Sequence, residues 1–272
     1  MAFMVYYLRL EWLKFRKNGV FQMMVLVYSI LLPLILLAVK SMNISVPGLS
    51  PRMVVEFPTI WSFLAYSGSW LAYFFLGFLA IYIFSSEFSQ RTFRQNIISG
   101  LTREELFLSK IGFLLVISFL ASLYYLICVL VMGYLYTPAE KLAGVFDRSS
   151  HFLRYWLMCS GYMSLAILIT VVIRRTAASV FIYFAYTIFI EPMIRWFFHK
   201  GFADNRSMHF YPANAFEDLT PLPLGDVSIT KDLVESGDLD IYLTPLEASL
   251  TSVIYILLFV MASYYLIKTK DL

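Results

Sequence analysis

Six apolar runs dominate this sequence, at about residues 20–40, 60–84, 106–136, 152–173, 177–198 and 247–267, and each is long enough to cross a hydrocarbon core of ~30 Å as a helix. In a bilayer the backbone must satisfy its own N–H and C=O groups, which leaves helices and closed barrels as the spanning structures. Barrel strands alternate apolar and polar residues over about ten positions, whereas stretches such as GFLLVISFLASLYYLICVLVMGYLY are continuously apolar. The fold class is therefore an all-α polytopic membrane protein with six transmembrane helices, a single transmembrane domain over residues 1–272. Charged residues make up 14% of the chain, against about a quarter in soluble domains. No small-x-small cleavage site follows the first run, so it is expected to persist as a span rather than leave as a signal peptide.

Lysines and arginines orient the bundle. With both termini in the cytoplasm, that side holds Arg9, Lys14, Arg16, Lys17, Arg91, Arg94, Arg103, Lys110, Arg174, Arg175, Lys268 and Lys270, more than half of the 21 basic residues, while most of the 18 acidic ones fall outside. Short cytoplasmic loops carry the basic excess, so this multi-pass topology is the expected one. Residues 1–18, too short and too polar to span, place Met4, Leu8, Trp12 and Phe15 at helical spacing and Arg9 and Arg16 on another face, as an in-plane amphipathic helix would. The extracytoplasmic loop 200–244 contains Pro212, Pro221, Pro223 and the acidic KDLVESGDLD, and is too short for an independent domain. It ends in TPLE, where Thr244 and Glu247 form a capping box around Pro245. Cys128 and Cys159 lie inside apolar runs, far from any CxxC pattern, and read as small buried hydrophobes.

Between the second and third runs sits a polar, basic island, SSEFSQRTFRQNIISGLTREELFLSK. Thr102 and Glu105 form a capping box that opens the third span, and Ser99 and Gly100 break the chain just before it. The remaining QRTFRQNII is long enough for about two helical turns, with Phe93 and Ile97 four apart and Arg91, Arg94, Gln95 and Asn96 around them. One reading is a basic loop touching anionic lipid. Another is a short helix whose apolar knob docks into a soluble partner, ringed by polar contacts.

The stretch EFSQRTFRQNIISGLTREELFLSK resembles the first cytoplasmic loop of permease subunits of ABC-2 type transporters. In those proteins a Glu ends the second span, here Glu87, and a short coupling helix bearing a Thr follows, here Arg91 and Thr92, with Arg91 standing where the family pattern has Gly. A break at Ser99 and Gly100 then precedes Arg103 and Lys110 on the next helix. The resemblance implies that Glu87, Arg91, Thr92, Phe93, Arg94, Gln95, Asn96, Ile97 and Arg103, in the coupling loop 87–104, contact a cytoplasmic ATP-binding cassette subunit. It further implies export of an amphipathic substrate across a bacterial cytoplasmic membrane, beside a second permease copy or paralogue. ATP and Mg would belong to the partner. The chain has no GxxxxGK[ST] loop, and is therefore not expected to hydrolyse ATP itself, to carry a cofactor or to bind nucleic acid.

Within the spans, Glu191 and Arg195 stand four apart beside Pro192, as an outer-end ion pair would. The small-residue clusters YSGSW and CSGYMS suit close helix packing. By the family resemblance, Tyr66, Ser69, Tyr183, Tyr186 and Thr187 on spans two and five would instead line a substrate path. Three alternatives stand beside the permease. An ion-coupled transporter would show interrupted, repeated halves, and a force-transmitting ABC subunit would pass no substrate. An intramembrane enzyme would need a ligand set or nucleophile at depth, but the chain has no HExxH, and His151, His199 and His209 fall at or beyond the outer edge.

Overall fold

The computed structural model of the protein describes residues 2–41, 50–89, 100–200, 206–223 and 242–269, and among them there is no strand. Eight helices among the described residues frame the bundle and its two ends. They are α1 (Ala2–Phe15), α2 (Gly19–Ser41), α3 (Ile60–Phe88), α4 (Arg103–Tyr136), α5 (Ser150–Ile173), α6 (Thr176–His199), α7 (Pro212–Glu217) and α8 (Pro245–Thr269). All but α1 and α7 are long and apolar enough to cross a membrane, which gives the six spans that the apolar runs dictate.

The spans run antiparallel in sequence. One end of the bundle, the terminal end, carries α1, the start of α4, the α5–α6 turn and the end of α8. The other, the loop end, carries residues 50–59, 137–149, 206–223 and the start of α8. Helix α5 is central, packed against α3, α4, α6 and α8. Burial follows from that placement: 67% of the apolar window of α3 and of α5 is buried, against 17% of α6 and of α8, so the outer helices keep apolar faces for lipid or another subunit.

Local chemistry sets the helix starts. Asn18 Oδ1 accepts from the amides of Val20 and Phe21 at 3.0 and 3.1 Å as α2 begins. At α4, Glu105 N donates to Thr102 Oγ1 at 3.2 Å while Thr102 N donates to Glu105 Oε2 at 2.9 Å, the reciprocal capping box read from TREE. Thr244 and Glu247 make the same exchange at α8. Gly100, just before α4, has φ +103°, a region open to glycine and strained for other residues. Arg174 takes the left-handed conformation, φ 60°, to turn α5 sharply into α6.

Two spans widen locally. Helix α3 passes through a π segment at Ala72–Leu76, and α6 through two, at Tyr186–Ile190 and Ile194–His199. Pro192 supplies a reason in α6, because without an N–H it cannot donate to the carbonyl one turn earlier. The widened stretches meet: the Tyr73 ring stacks on Tyr183 at 5.2 Å, and the Tyr73 and Thr187 hydroxyls lie 2.5 Å apart. Further along α3, Gly68 lets it approach α5, since an added Cβ would fall 2.5 Å from the Tyr155 hydroxyl, which instead donates to Gly68 O at 3.1 Å.

Helix α1 turns inward part of the face that its spacing suggests, Leu8 and Phe15, with Glu11 added to it and Trp12 left at its edge. Glu11 and Phe15 are buried, whereas Trp12 is 47% exposed. The cause is tertiary, because α1 packs along the start of α4, where a lysine and an aromatic ring await it.

Candidate functional site

At the terminal end the structure gathers charges from three helices. The Lys110 ammonium, on the second turn of α4, lies 3.1 and 3.2 Å from the two Glu11 oxygens of α1 and 3.0 Å from Glu87 Oε1 at the end of α3. Lys14 of α1 also bonds Glu87. Side-chain exposure is 1% for Lys110 and for Glu87, against 35% for Lys14, so one cation and one anion are sealed while the second cation reaches the surface. Phe15 covers the cluster, with Lys110 Nζ 5.9 Å from its centroid and the Phe113 ring stacked on it at 5.9 Å. Two lysines against two glutamates leave no net charge, so burying the group does not strand an ion.

This clamp flanks the polar island on both sides. Glu87 closes α3 before it, and Lys110 follows the α4 capping box after it. Arg103 joins the same end to the last span, donating to the carbonyls of Ile267 and Lys268 at 3.3 Å. Residues 90–99, which carry the expected contacts Arg91, Thr92, Phe93, Arg94, Gln95, Asn96 and Ile97, lie outside the described residues. Sequence reasoning missed Glu11 as a member. Its signal was available as the one acid within a basic, apolar segment, at the same helical face as Leu8 and Phe15.

At the loop end, α6 fastens residues 206–223. Glu191 Oε1 and Oε2 accept from the amides of Asn214 and Ala213 at 2.8 and 3.0 Å, closing the start of α7. Arg195 Nε donates to Met208 O at 2.8 Å and its Nη2 lies 3.4 Å from His209 Nδ1. Their hydrogen bonds thus go to the outer segment and they act on each other only through their fields, which corrects the expected helix-face ion pair. Asp218 Oδ2 accepts from Asn214 Nδ2 at 2.9 Å and from Leu243 N at 3.0 Å, tying the segment to the approach of α8. Burial pushes its carboxyl up to about 7, against the opposing pull of the Leu243 amide.

Under this segment a cavity of about 270 Å³ opens between α3, α5, α6 and α7. Ser69 and Thr187, both expected along a path, line it together with Trp70, Tyr73, Tyr162 and Glu217. The other expected path residues, Tyr66, Tyr183 and Tyr186, are not among its walls. Tyr183 is fully buried and donates to Tyr73 O at 3.1 Å, filling the helix interface instead. No group of three or more metal-ligating side chains occurs among the described residues.

The sequence from within α1 to the fifth span matches a known family. The family model described as "ABC-2 family transporter protein" covers residues 7–190, more than half of the chain, from within α1 to the end of the first π segment of α6. The chain belongs to the ABC-2 transporter family. It is a multi-pass membrane permease component of an ABC-type transporter. The match includes Glu11, Glu87 and Lys110 together with the island between the last two, and it ends before Glu191 and the outer segment. No curated protein matches the chain in sequence.

Proposed function

We propose that this chain is the membrane half of an exporter whose terminal end faces the cytoplasm and docks a separate ATP-binding cassette subunit that holds ATP and Mg. The observation that carries this reading is the buried clamp of Glu11, Lys110 and Glu87. A docked subunit pushing on residues 91–97 would act on the end of α3 and the start of α4, and the clamp makes α1 follow, since separating these charges would leave ions buried without partners. Phe93 and Ile97 would supply the knob, with Arg91, Thr92, Arg94, Gln95, Asn96 and Arg103 around it, while Glu87, sealed in the clamp, would hold the end of α3 behind it rather than touch the partner. The terminal end bears the basic excess, which supports its cytoplasmic placement in a bacterial inner membrane.

Movement at α3 reaches the cavity directly, because Ser69, Trp70 and Tyr73 stand on the same helix as Glu87. The cavity lies at the junction of the π segments in α3 and α6, and such irregular turns concentrate at functional positions. In this reading it receives an amphipathic substrate on its way out beneath residues 206–223. A second permease copy or paralogue would complete the path, covering the lipid-facing sides of α2 and α6.

The test is to purify the tagged chain gently and identify what accompanies it by mass spectrometry. A stoichiometric soluble subunit with an ATP-binding signature is expected. Its absence under conditions that hold membrane complexes together overturns the reading. In the recovered complex, Phe93→Asp with Ile97→Asp is expected to abolish stimulation of the ATPase while the spans remain inserted; retained stimulation removes residues 91–97 from the contact.

A further inference from the structure

Two side chains that face the same cavity lack partners. Glu217, at the last turn of α7, is half-buried, and its carboxylate makes no hydrogen bond or ion pair with any described residue. Arg195 acts on it through its field, but that guanidinium makes its bonds to Met208 O and His209. Trp70, half-exposed at the cavity edge, pairs with no other ring and no cation among the described residues. Both hydroxyls beside them are engaged: Ser69 Oγ donates to Tyr66 O at 2.7 Å, and Thr187 is bonded to Tyr73.

A carboxylate partly shut off from water and without a partner is disfavoured, and a ligand of opposite charge that completes its burial offsets that cost. An indole face attracts a cation within about 6 Å, most strongly when water is excluded. Tyr73 and Tyr162, 5.5 Å apart, add two more electron-rich rings to the wall. Among the described residues no lysine or arginine lines the cavity, so nothing in its wall favours an anion.

We propose that this cavity is a binding site for the cationic head of an amphipathic organic cation, with Glu217 as its counter-ion and Trp70, Tyr73 and Tyr162 as its aromatic walls. The inference rests on the export reading above and names the substrate class for it. At about 270 Å³ the cavity takes an ammonium head and a ring rather than a whole drug-sized molecule, since such ligands fill about 300–1,000 Å³. The apolar body would leave through the side that Trp70 borders.

The probe is benzyltrimethylammonium, with the uncharged isostere neopentylbenzene as its control, bound to the full chain in an uncharged maltoside detergent and corrected for empty micelles. The cation is expected to bind saturably and the isostere at least ten-fold more weakly. Glu217→Gln is expected to weaken the cation at least ten-fold and leave the isostere unchanged. Trp70→Leu, at the exposed edge where folding is not at stake, is expected to weaken the cation about five-fold, within the range for cation–π contacts. Equal binding of cation and isostere, or a Glu217→Gln chain that binds the cation as the wild type does, overturns the proposal. Co-purification of an ATP-binding subunit is scored separately on the wild-type chain. A subunit without cation selectivity removes the site and keeps the exporter, and cation selectivity without a subunit does the reverse.

Discussion

The Lys110 ammonium lies 3.0 Å from a Glu87 carboxylate oxygen, and both side chains are 1% exposed. Each ion is worth little to the fold alone and a great deal to the other, because a charge that loses its partner in a dry site has nowhere to find water. Glu11 takes the remaining ammonium protons, so α1, α3 and α4 share one electrostatic knot at the end where the polar island leaves the bundle.

Replacing Lys110 with Met should therefore strand Glu11 and leave Glu87 to Lys14 alone, and the cost expected is about 3–5 kcal/mol. Thermal unfolding in detergent measures it. The triple change Lys110→Met, Glu11→Leu and Glu87→Leu should recover most of that loss, since an apolar cluster of similar volume replaces a buried ionic one at little or no cost. If the clamp transmits force, the stable triple variant should still fail to couple to ATP hydrolysis. Normal coupling in that variant would reduce the clamp to a structural device.

What the sequence made legible is what short-range chemistry controls. A run of about 20 apolar residues leaves the backbone no alternative to a helix in lipid, so the six spans were readable. The Thr102–Glu105 and Thr244–Glu247 boxes were readable for the same reason, as their partners are three residues apart. Glu191 and Arg195 show the limit. Their spacing is right for a pair on one helix, yet Asn214 and Met208, brought from the loop, outcompete that contact. Glu11 carried a signal, as the one acid in its segment, but which face of α1 turns inward depends on the helix that covers it, and Glu217 carried none because its role depends on how α7 seats against α3, α5 and α6.

Acidification should tighten the outer segment. The Asp218 carboxyl is pushed from 3.8 up to about 7 in the folded protein, chiefly by burial, so the fold holds this proton more firmly than the unfolded chain does. For a raised carboxyl the stabilising contribution is full at low pH and is lost as pH climbs towards the folded value. Hydrogen exchange at Ala215, Asp218 and Leu243 should slow as pH falls from about 8 to about 5, after correction for the intrinsic rate. Asp218→Asn should flatten that dependence and give the slow rates throughout. Protection that weakens on acidification would mean that Asp218 is held as the carboxylate instead.

Gly161 of α5 has no room for a side chain. An added Cβ would stand 2.5 Å from the Phe216 ring, and Phe216 is fully buried, so the ring must lift residues 212–217 to escape. Overpacking of this kind costs about 1–3 kcal/mol. Gly161→Ala should lower the unfolding temperature and expose the outer segment to protease, and adding Phe216→Ala should restore part of both. Strict additivity of the two changes would mean that the contact does not hold the segment down.

Glu191 tests whether that segment is also held by α6. Its two oxygens serve two amides, and both donors are buried with α7. Glutamine keeps the shape but offers one carbonyl oxygen and places an NH₂ against the second amide, so Glu191→Gln should cost about 1–3 kcal/mol through one unmade bond and the lost charge assistance. Alanine strands both amides and should cost more. Because α7 carries Ala213 and Glu217 into the cavity wall, loosening its start should also disturb the cavity without touching a residue on α3. The expected outcome is faster proteolysis of residues 206–223 in the order wild type, Gln, Ala, with the Phe15 and Lys110 end unchanged by hydrogen exchange. Equal loosening at both ends would instead indicate global unfolding and remove Glu191 as a local fastener.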